Sequence, residues 1–146
     1  MNPPCGRPVS AAVLAGGMSR RMGSDKALLP ATPGGQTLLE RALATVSDVA
    51  DETFIVASGR PEYERFGVPV VADLHPGAGA LGGIATALRA ARCERCLVVA
   101  CDMPFLNPVL LNAMIGWPGD WDVLAPSIAG ESRQGPGQVI QTLHAI

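Results

Sequence analysis

Apolar residues along this chain recur with two periods. Val9 to Leu14, Glu52 to Ser58, Pro69 to Ala72, Cys96 to Cys101 and Asp122 to Ala125 are short apolar or alternating runs closed off by turn residues, and each reads as a strand. Between them the apolar positions fall at helical spacing. Thr37 opens a helix with Leu38, Leu39, Ala42, Leu43 and Val46 on one face, and Pro61 to Phe66 is a short helix. Leu81 to Ala91 is a third, with Ile84, Ala87, Leu88 and Ala91 spaced for burial. Asn107 to Ile115 is the last, with Asn107 as N-cap and Pro108 at the first helical position. Pro30 to Gly35 forms a turn, Ser127 to Val139 reads as a mobile loop from its Gly, Ser, Gln and Pro content, and Gln138 to Ile146 as one last strand. Strand and helix in alternation with short connections predict an α/β fold: three layers around a doubly wound, mostly parallel, Rossmann-like sheet.

Composition agrees with a sheet covered on both faces. With 146 residues, 48% of them hydrophobic, the chain is expected to be a single domain of residues 1–146 with a sizeable core. A net charge of −2 and a pI near 5.6 argue against a nucleic-acid partner held by bulk electrostatics. Met1 to Pro8 carries three prolines and lacks the apolar core of a signal peptide, so a frayed leader and a cytoplasmic setting are expected. The apolar runs are strand-length, which predicts no membrane partner. Cys5, Cys93, Cys96 and Cys101 read as reduced thiols. Cys93-Glu94-Arg95-Cys96 has the spacing of half a zinc site, but no second pair accompanies it and ordinary small residues at a helix-to-strand junction are expected.

The chemistry concentrates where the first strand breaks. After Val13 and Leu14 come Ala15, Gly16, Gly17 and Gly23, whose backbone can turn tightly and present bare N–H groups, with Arg20, Arg21 and Lys26 supplying cations. The combination suits a polyphosphate, against the alternative of a merely solvated basic loop. It is neither a P-loop, since Lys26 lies between Asp25 and Ala27, nor a dinucleotide fingerprint, since Gly16 and Gly17 are adjacent. Asp102 follows the apolar run Leu97 to Cys101, at the carboxyl end of a strand, where open α/β sheets place ligands. If the first and fourth strands are neighbours, Asp102 faces the glycine-rich loop. There a carboxylate beside phosphates calls for a cation such as Mg²⁺. The alternative is that Asp102 only caps the following turn. For Asp73 the residues alone favour an Asx turn before His75 and Pro76.

The stretch Leu14-Ala15-Gly16-Gly17-x-Ser19-x-Arg21-Met22-Gly23-x-Asp25-Lys26-Ala27-Leu28-Leu29 resembles the signature loop of nucleotidyltransferases of the nucleotide-diphospho-sugar transferase-like fold. It is most similar to the molybdenum cofactor guanylyltransferases, the MobA-like nucleotidyltransferase family. Related cytidylyltransferases read Leu-Ala-Ala-Gly at the first four positions, so Gly16 is expected to make room for a purine. The resemblance implies transfer of GMP from GTP to the phosphate of molybdopterin with release of pyrophosphate. It implies catalytic roles for Arg21, Lys26 and Asp102. Nucleotide contacts are implied for Leu14, Ala15, Gly16, Gly17, Lys26, Asp73, Gly82 and Asp102, with Mg²⁺ on Asp102. Pro76-Gly77-Ala78-Gly79-Ala80-Leu81-Gly82-Gly83-Ile84 resembles the loop that wraps the base, with Ala80 where the family has proline; plain helix-entry chemistry is the other reading. Asp25 is expected to orient Lys26 or to form a solvated pair with it, and His75 has no role. The family continues past the segment resembling Gln141 to Ile146, so a truncated or frameshifted member is expected. A monomer or weak homo-oligomer is expected. The alternatives are a cytidylyl- or sugar-nucleotidyltransferase of the same fold, a catalytically incomplete nucleotide-binding fragment, or a chain that does not fold stably.

Overall fold

The computed structural model describes residues 8–16, 25–132, 135–140 and 144–145. Strand β1 (Val9–Leu14) is its centre, flanked in parallel by β2 (Glu52–Val56) on one side and β4 (Arg95–Ala100) on the other. Beyond β2 lies the two-residue β3 (Val70–Val71), parallel again. Successive residues of β1 point to opposite faces of the sheet, and both faces are covered. Val9, Ala11 and Val13 join Ile55, Leu97 and Val99 in a core closed by helix α1 (Leu38–Ser47), helix α3 (Pro108–Ile115) and the 3-10 turn Pro61–Phe66. On the other face, Ala12 packs with Phe54, Val56 and Val98 beneath Ala87 of helix α2 (Gly79–Ala90). That is the three-layer α/β arrangement.

Local chemistry accounts for the helix boundaries. Thr37 is the N-cap of α1: its hydroxyl oxygen accepts from the Glu40 N–H at 3.2 Å while Glu40 accepts from the Thr37 N–H at 2.7 Å, a reciprocal capping box. Asn107 caps α3 by accepting from the Val109 N–H at 2.9 Å, with Pro108 at the first position. At the amino end of the sheet the fully buried Ser10 donates to Glu52 at 2.6 Å and accepts from the Cys93 N–H at 3.1 Å. This polar knot ties β1, β2 and the entry to β4 together.

Five expectations are corrected. Helix α2 starts at Gly79, two residues before Leu81, so half of the anticipated base loop is the helix's first turn. Its buried face is Gly82, Gly83, Thr86 and Ala87, while Leu88 is exposed: small residues win because the helix lies close on the sheet, Gly83 within contact of Leu14. Asp122 to Ala125 is not a strand; the core takes Leu124 by side-chain packing, and the β4 edge that it would have paired is occupied. That edge carries β7 (His144–Ala145), antiparallel. Finally, β5 (Ser127–Ser132) and β6 (Gly135–Ile140) pair as an antiparallel hairpin where composition reads as loop, because a backbone ladder needs no particular side chains. The anticipated strand from Gln138 to Ile146 is thus two separate pieces, the end of β6 and β7.

Candidate active site

The strand order β3-β2-β1-β4 reverses direction between β1 and β4, and chains leaving those two strands diverge at their carboxyl ends. The Ala15 N–H donates to the Val56 carbonyl at 3.0 Å and the Cys101 N–H to the Leu14 carbonyl at 3.0 Å. Both exits are thereby fixed on the sheet. The crevice between them is a cavity of about 440 Å³. Its walls bring together Leu14, Ala15 and Gly16 from the end of β1, Asp25 and Lys26, Asp73 after β3, and Asp102 after β4. Gly77, Gly79, Ala80 and Gly83 close it from the α2 side.

Glycines shape that side. Gly77 and Gly79 take φ of 90° and 64°, which suit residues without Cβ, and α2 starts with no side-chain cap on its first amides. Gly82 is not in the cavity wall. A Cβ there would sit 2.7 Å from the His75 carbonyl oxygen, so Gly82 is the floor on which the 73–78 loop rests. Gly17 and Arg21 lie outside the described residues.

The three carboxylates of the cavity differ in what they already hold. Asp25 accepts from the Ala27 N–H at 3.1 Å as N-cap of the 3-10 turn Lys26–Leu28, and from the Tyr63 hydroxyl at 2.5 Å, with Arg60 at 3.6 Å. Of the two readings of Asp25, the solvated pair with Lys26 is the one its geometry disfavours. Asp73 accepts from the His75 N–H at 2.9 Å, the anticipated Asx turn, and from the Thr86 hydroxyl at 3.0 Å, while its own N–H donates to Ser58 at 2.8 Å. The Asx turn and the cavity position coexist. Asp102 is exposed and has no hydrogen bond or ion pair with any described residue, so it caps nothing. Its neighbour Cys101 is a neutral thiol: burial foremost, then the charges of Asp102 and Asp25, push it up to about 12.

This donor set bears on a metal. No cluster of three or more His, Cys, Asp or Glu side chains exists among the described residues, which leaves out the sites that enclose an ion in protein ligands. One carboxylate in the crevice wall, unengaged by any described residue, suits Mg²⁺, which keeps waters and takes phosphate oxygens in preference to a full protein cage. Cys93 and Cys96 are free thiols, Cys96 buried.

Tyr63 and Thr86 escape a reading of motifs. The signals were present: Tyr63 is the one tyrosine in the sequence, within Pro61 to Phe66, and Thr86 is a polar residue on the buried stripe of a helix.

The sequence profile of the MobA-like NTP transferase domain matches residues 11–142. The chain belongs to that family. A protein of Chloroflexus aggregans named "Probable molybdenum cofactor guanylyltransferase" is 40% identical over 139 residues, covering 94% of this chain and 64% of its own length. A molybdenum cofactor guanylyltransferase of Xanthomonas euvesicatoria is 42% identical over 110 residues, covering 75% of this chain and 54% of its own length. Among solved structures, molybdopterin-guanine dinucleotide biosynthesis protein A from Archaeoglobus fulgidus is 27% identical with a TM-score of 0.61, matching 93% of this chain and 65% of that one. The chain therefore spans less than two thirds of the length of these relatives. The α/β fold is shared with that solved structure. No helix among the described residues is long and apolar enough to cross a membrane.

Proposed function

We propose that this MobA-like domain binds GTP in the crevice between β1 and β4 and transfers its GMP moiety to the terminal phosphate of molybdopterin. The observation that carries the reading is Asp102, a carboxylate with no hydrogen bond or ion pair to any described residue, in the same cavity wall as Gly16 and Lys26. Family membership and the names of the relatives support the choice of reaction.

In this reading the base lies against Gly77, Gly79 and Ala80 at the entry to α2, and Asp73 contacts the nucleotide. The amides of Gly16 and Gly17 and the cations of Arg21 and Lys26 hold the phosphates, Leu14 and Ala15 line the crevice beside them, and Gly82 supports the base loop from beneath. An oxygen of the acceptor phosphate attacks the α-phosphorus in line; the bond from that phosphorus to the bridging oxygen of the β-phosphate breaks, and pyrophosphate leaves with the electron pair. The acceptor is already ionised at neutral pH, so no general base is required, and His75 has no part. Lys26 and Arg21 neutralise the charge that grows on the leaving group, and the loops hold the two phosphates in line. Asp102 is the residue that would hold Mg²⁺, which when bound supplies charge neutralisation on the phosphate oxygens.

The test is pyrophosphate release by the 146-residue chain with GTP, Mg²⁺ and molybdopterin, with CTP in place of GTP as comparison. Lys26→Ala and Asp102→Asn are each expected to lower turnover by roughly a hundredfold or more. Normal turnover in either variant removes that residue from the mechanism. Release with CTP alone favours a cytidylyltransferase, and nucleotide binding with no release leaves a binding fragment.

A further inference from the structure

Tyr63 is fully buried in the α1 and α3 layer, its ring tilted against Phe66 at 6.1 Å, yet its hydroxyl reaches two residues of the crevice wall, Asp25 and Ala15. There it lies 2.5 Å from Asp25 Oδ2 and 3.5 Å from the carbonyl oxygen of Ala15. Ala15 and Asp25 are the two residues that flank positions 16–24, the glycine-rich basic stretch of the signature. One hydroxyl on a rigid ring therefore touches Asp25 and the backbone at the end of β1 together. Asp25 has both oxygens engaged, Oδ1 with the Ala27 N–H and Oδ2 with Tyr63, and Arg60 adds its charge from 3.6 Å. Lys26 is the next residue, exposed and with no ion pair to any described residue.

We propose that Tyr63, assisted by Arg60, is a positioning residue: it fixes Asp25 against the end of β1 so that Lys26 is presented to the nucleotide phosphates. The inference rests on the nucleotide reading above. It assigns to the 3-10 turn after β2 a function that motif reading leaves blank. Burial and the adjacent Asp25 carboxylate push the Tyr63 hydroxyl above the ordinary tyrosine range, so the proton that Asp25 accepts stays in place through neutral and alkaline pH. Holding the residue before Lys26 in place before ligand arrives lowers the ordering that binding must impose.

The experiment compares four forms of the full chain by calorimetric titration with Mg²⁺–GTP and with guanosine: wild type, Tyr63→Phe, Lys26→Ala and the double variant. Tyr63→Phe keeps the ring and its packing and deletes only the donor. GTP affinity is expected to fall roughly tenfold in Tyr63→Phe, with guanosine affinity unchanged, because the lost bond is to a charged group that serves the phosphates alone. In the Lys26→Ala background the same change is expected to do nothing further. Amide hydrogen exchange at residues 26–28, which needs no ligand, is expected to quicken in Tyr63→Phe. Unchanged GTP affinity in Tyr63→Phe overturns the proposal. So does an equal loss for GTP and guanosine that adds fully to Lys26→Ala, the mark of a residue that matters only for packing. Should Tyr63→Phe not fold, Arg60→Gln replaces it, with a smaller loss confined to GTP expected and no loss overturning the proposal. A wild-type chain that binds neither ligand overturns the nucleotide reading itself, an outcome separable from the others because the variants are not needed to see it.

Discussion

Among the described residues, a methyl group added at position 16 would meet the Ala57 Cα and the Val56 carbonyl oxygen, both at 3.8 Å, an ordinary van der Waals contact. The described residues therefore give no steric reason for glycine there, which fits space kept for a ligand. Gly16→Ala is expected to change stability by less than about 0.5 kcal/mol while lowering guanine nucleotide affinity much more than cytosine nucleotide affinity. Equal affinities before and after, measured by competition, would mean that Gly16 does not face the base. Gly82 is the opposite case. There the new Cβ would lie 2.7 Å from a backbone oxygen of His75 and 3.0 Å from the Ala78 Cβ, neither of which can move aside cheaply. Gly82→Ala is expected to cost about 1–3 kcal/mol in urea denaturation, with the loss traceable to the 73–78 loop.

At the scale of elements, α1 carries its own start signal. Because Thr37 and Glu40 satisfy each other's backbone N–H groups, Thr37→Ala is expected to cost about 1 kcal/mol. The bonds from the Thr37 backbone and then its side chain hold the Glu40 carboxyl below its ordinary value of 4.5. A carboxylate with a depressed folded value stabilises fully above the unfolded value and loses that contribution as pH falls through the folded one. The stability gap between wild type and Glu40→Gln is accordingly expected to be constant above pH 4.5 and to close below it, and a gap that persists into acid would show that charge is not involved. Helix α2 shows where element-level reading stops. Its periodicity favoured Ile84, Ala87, Leu88 and Ala91; Ala87 is buried and Ile84 and Ala91 pack partly buried against the same core, but Leu88 is exposed and Gly82, Gly83 and Thr86 take the most buried positions. Large residues are not the buried ones where a helix must lie close against the strand beneath it.

For the molecule as a whole, a ligand that binds only the folded chain raises its stability by mass action. GTP with Mg²⁺ at a hundred times its dissociation constant is expected to add about 2.7 kcal/mol, seen as a rise in melting temperature. The part of that rise that depends on Mg²⁺ is expected to vanish in Asp102→Asn. A rise that is the same with and without Mg²⁺ in wild type would take the metal out of the binding step. The location of the crevice is itself a property of the whole sheet, since it exists because neighbours β2 and β4 leave β1 on opposite sides.

Much of this was legible in the amino-acid order. Apolar runs marked β1, β2 and β4, capping residues marked α1 and α3, and the Leu14 to Leu29 signature pointed to the family, because each is a local pattern whose cause lies within a few residues. Tertiary structure alone decided which groups share a wall. It left Asp102 without a partner among the described residues, engaged Asp73 with Thr86, brought Tyr63 to Asp25 across 38 positions, and spent the β4 edge on β7 rather than on Asp122 to Ala125. Those outcomes follow from competition among distant segments for the same edges, donors and space. A linear pattern records what each residue can do, and only the closed fold determines which partner reaches it.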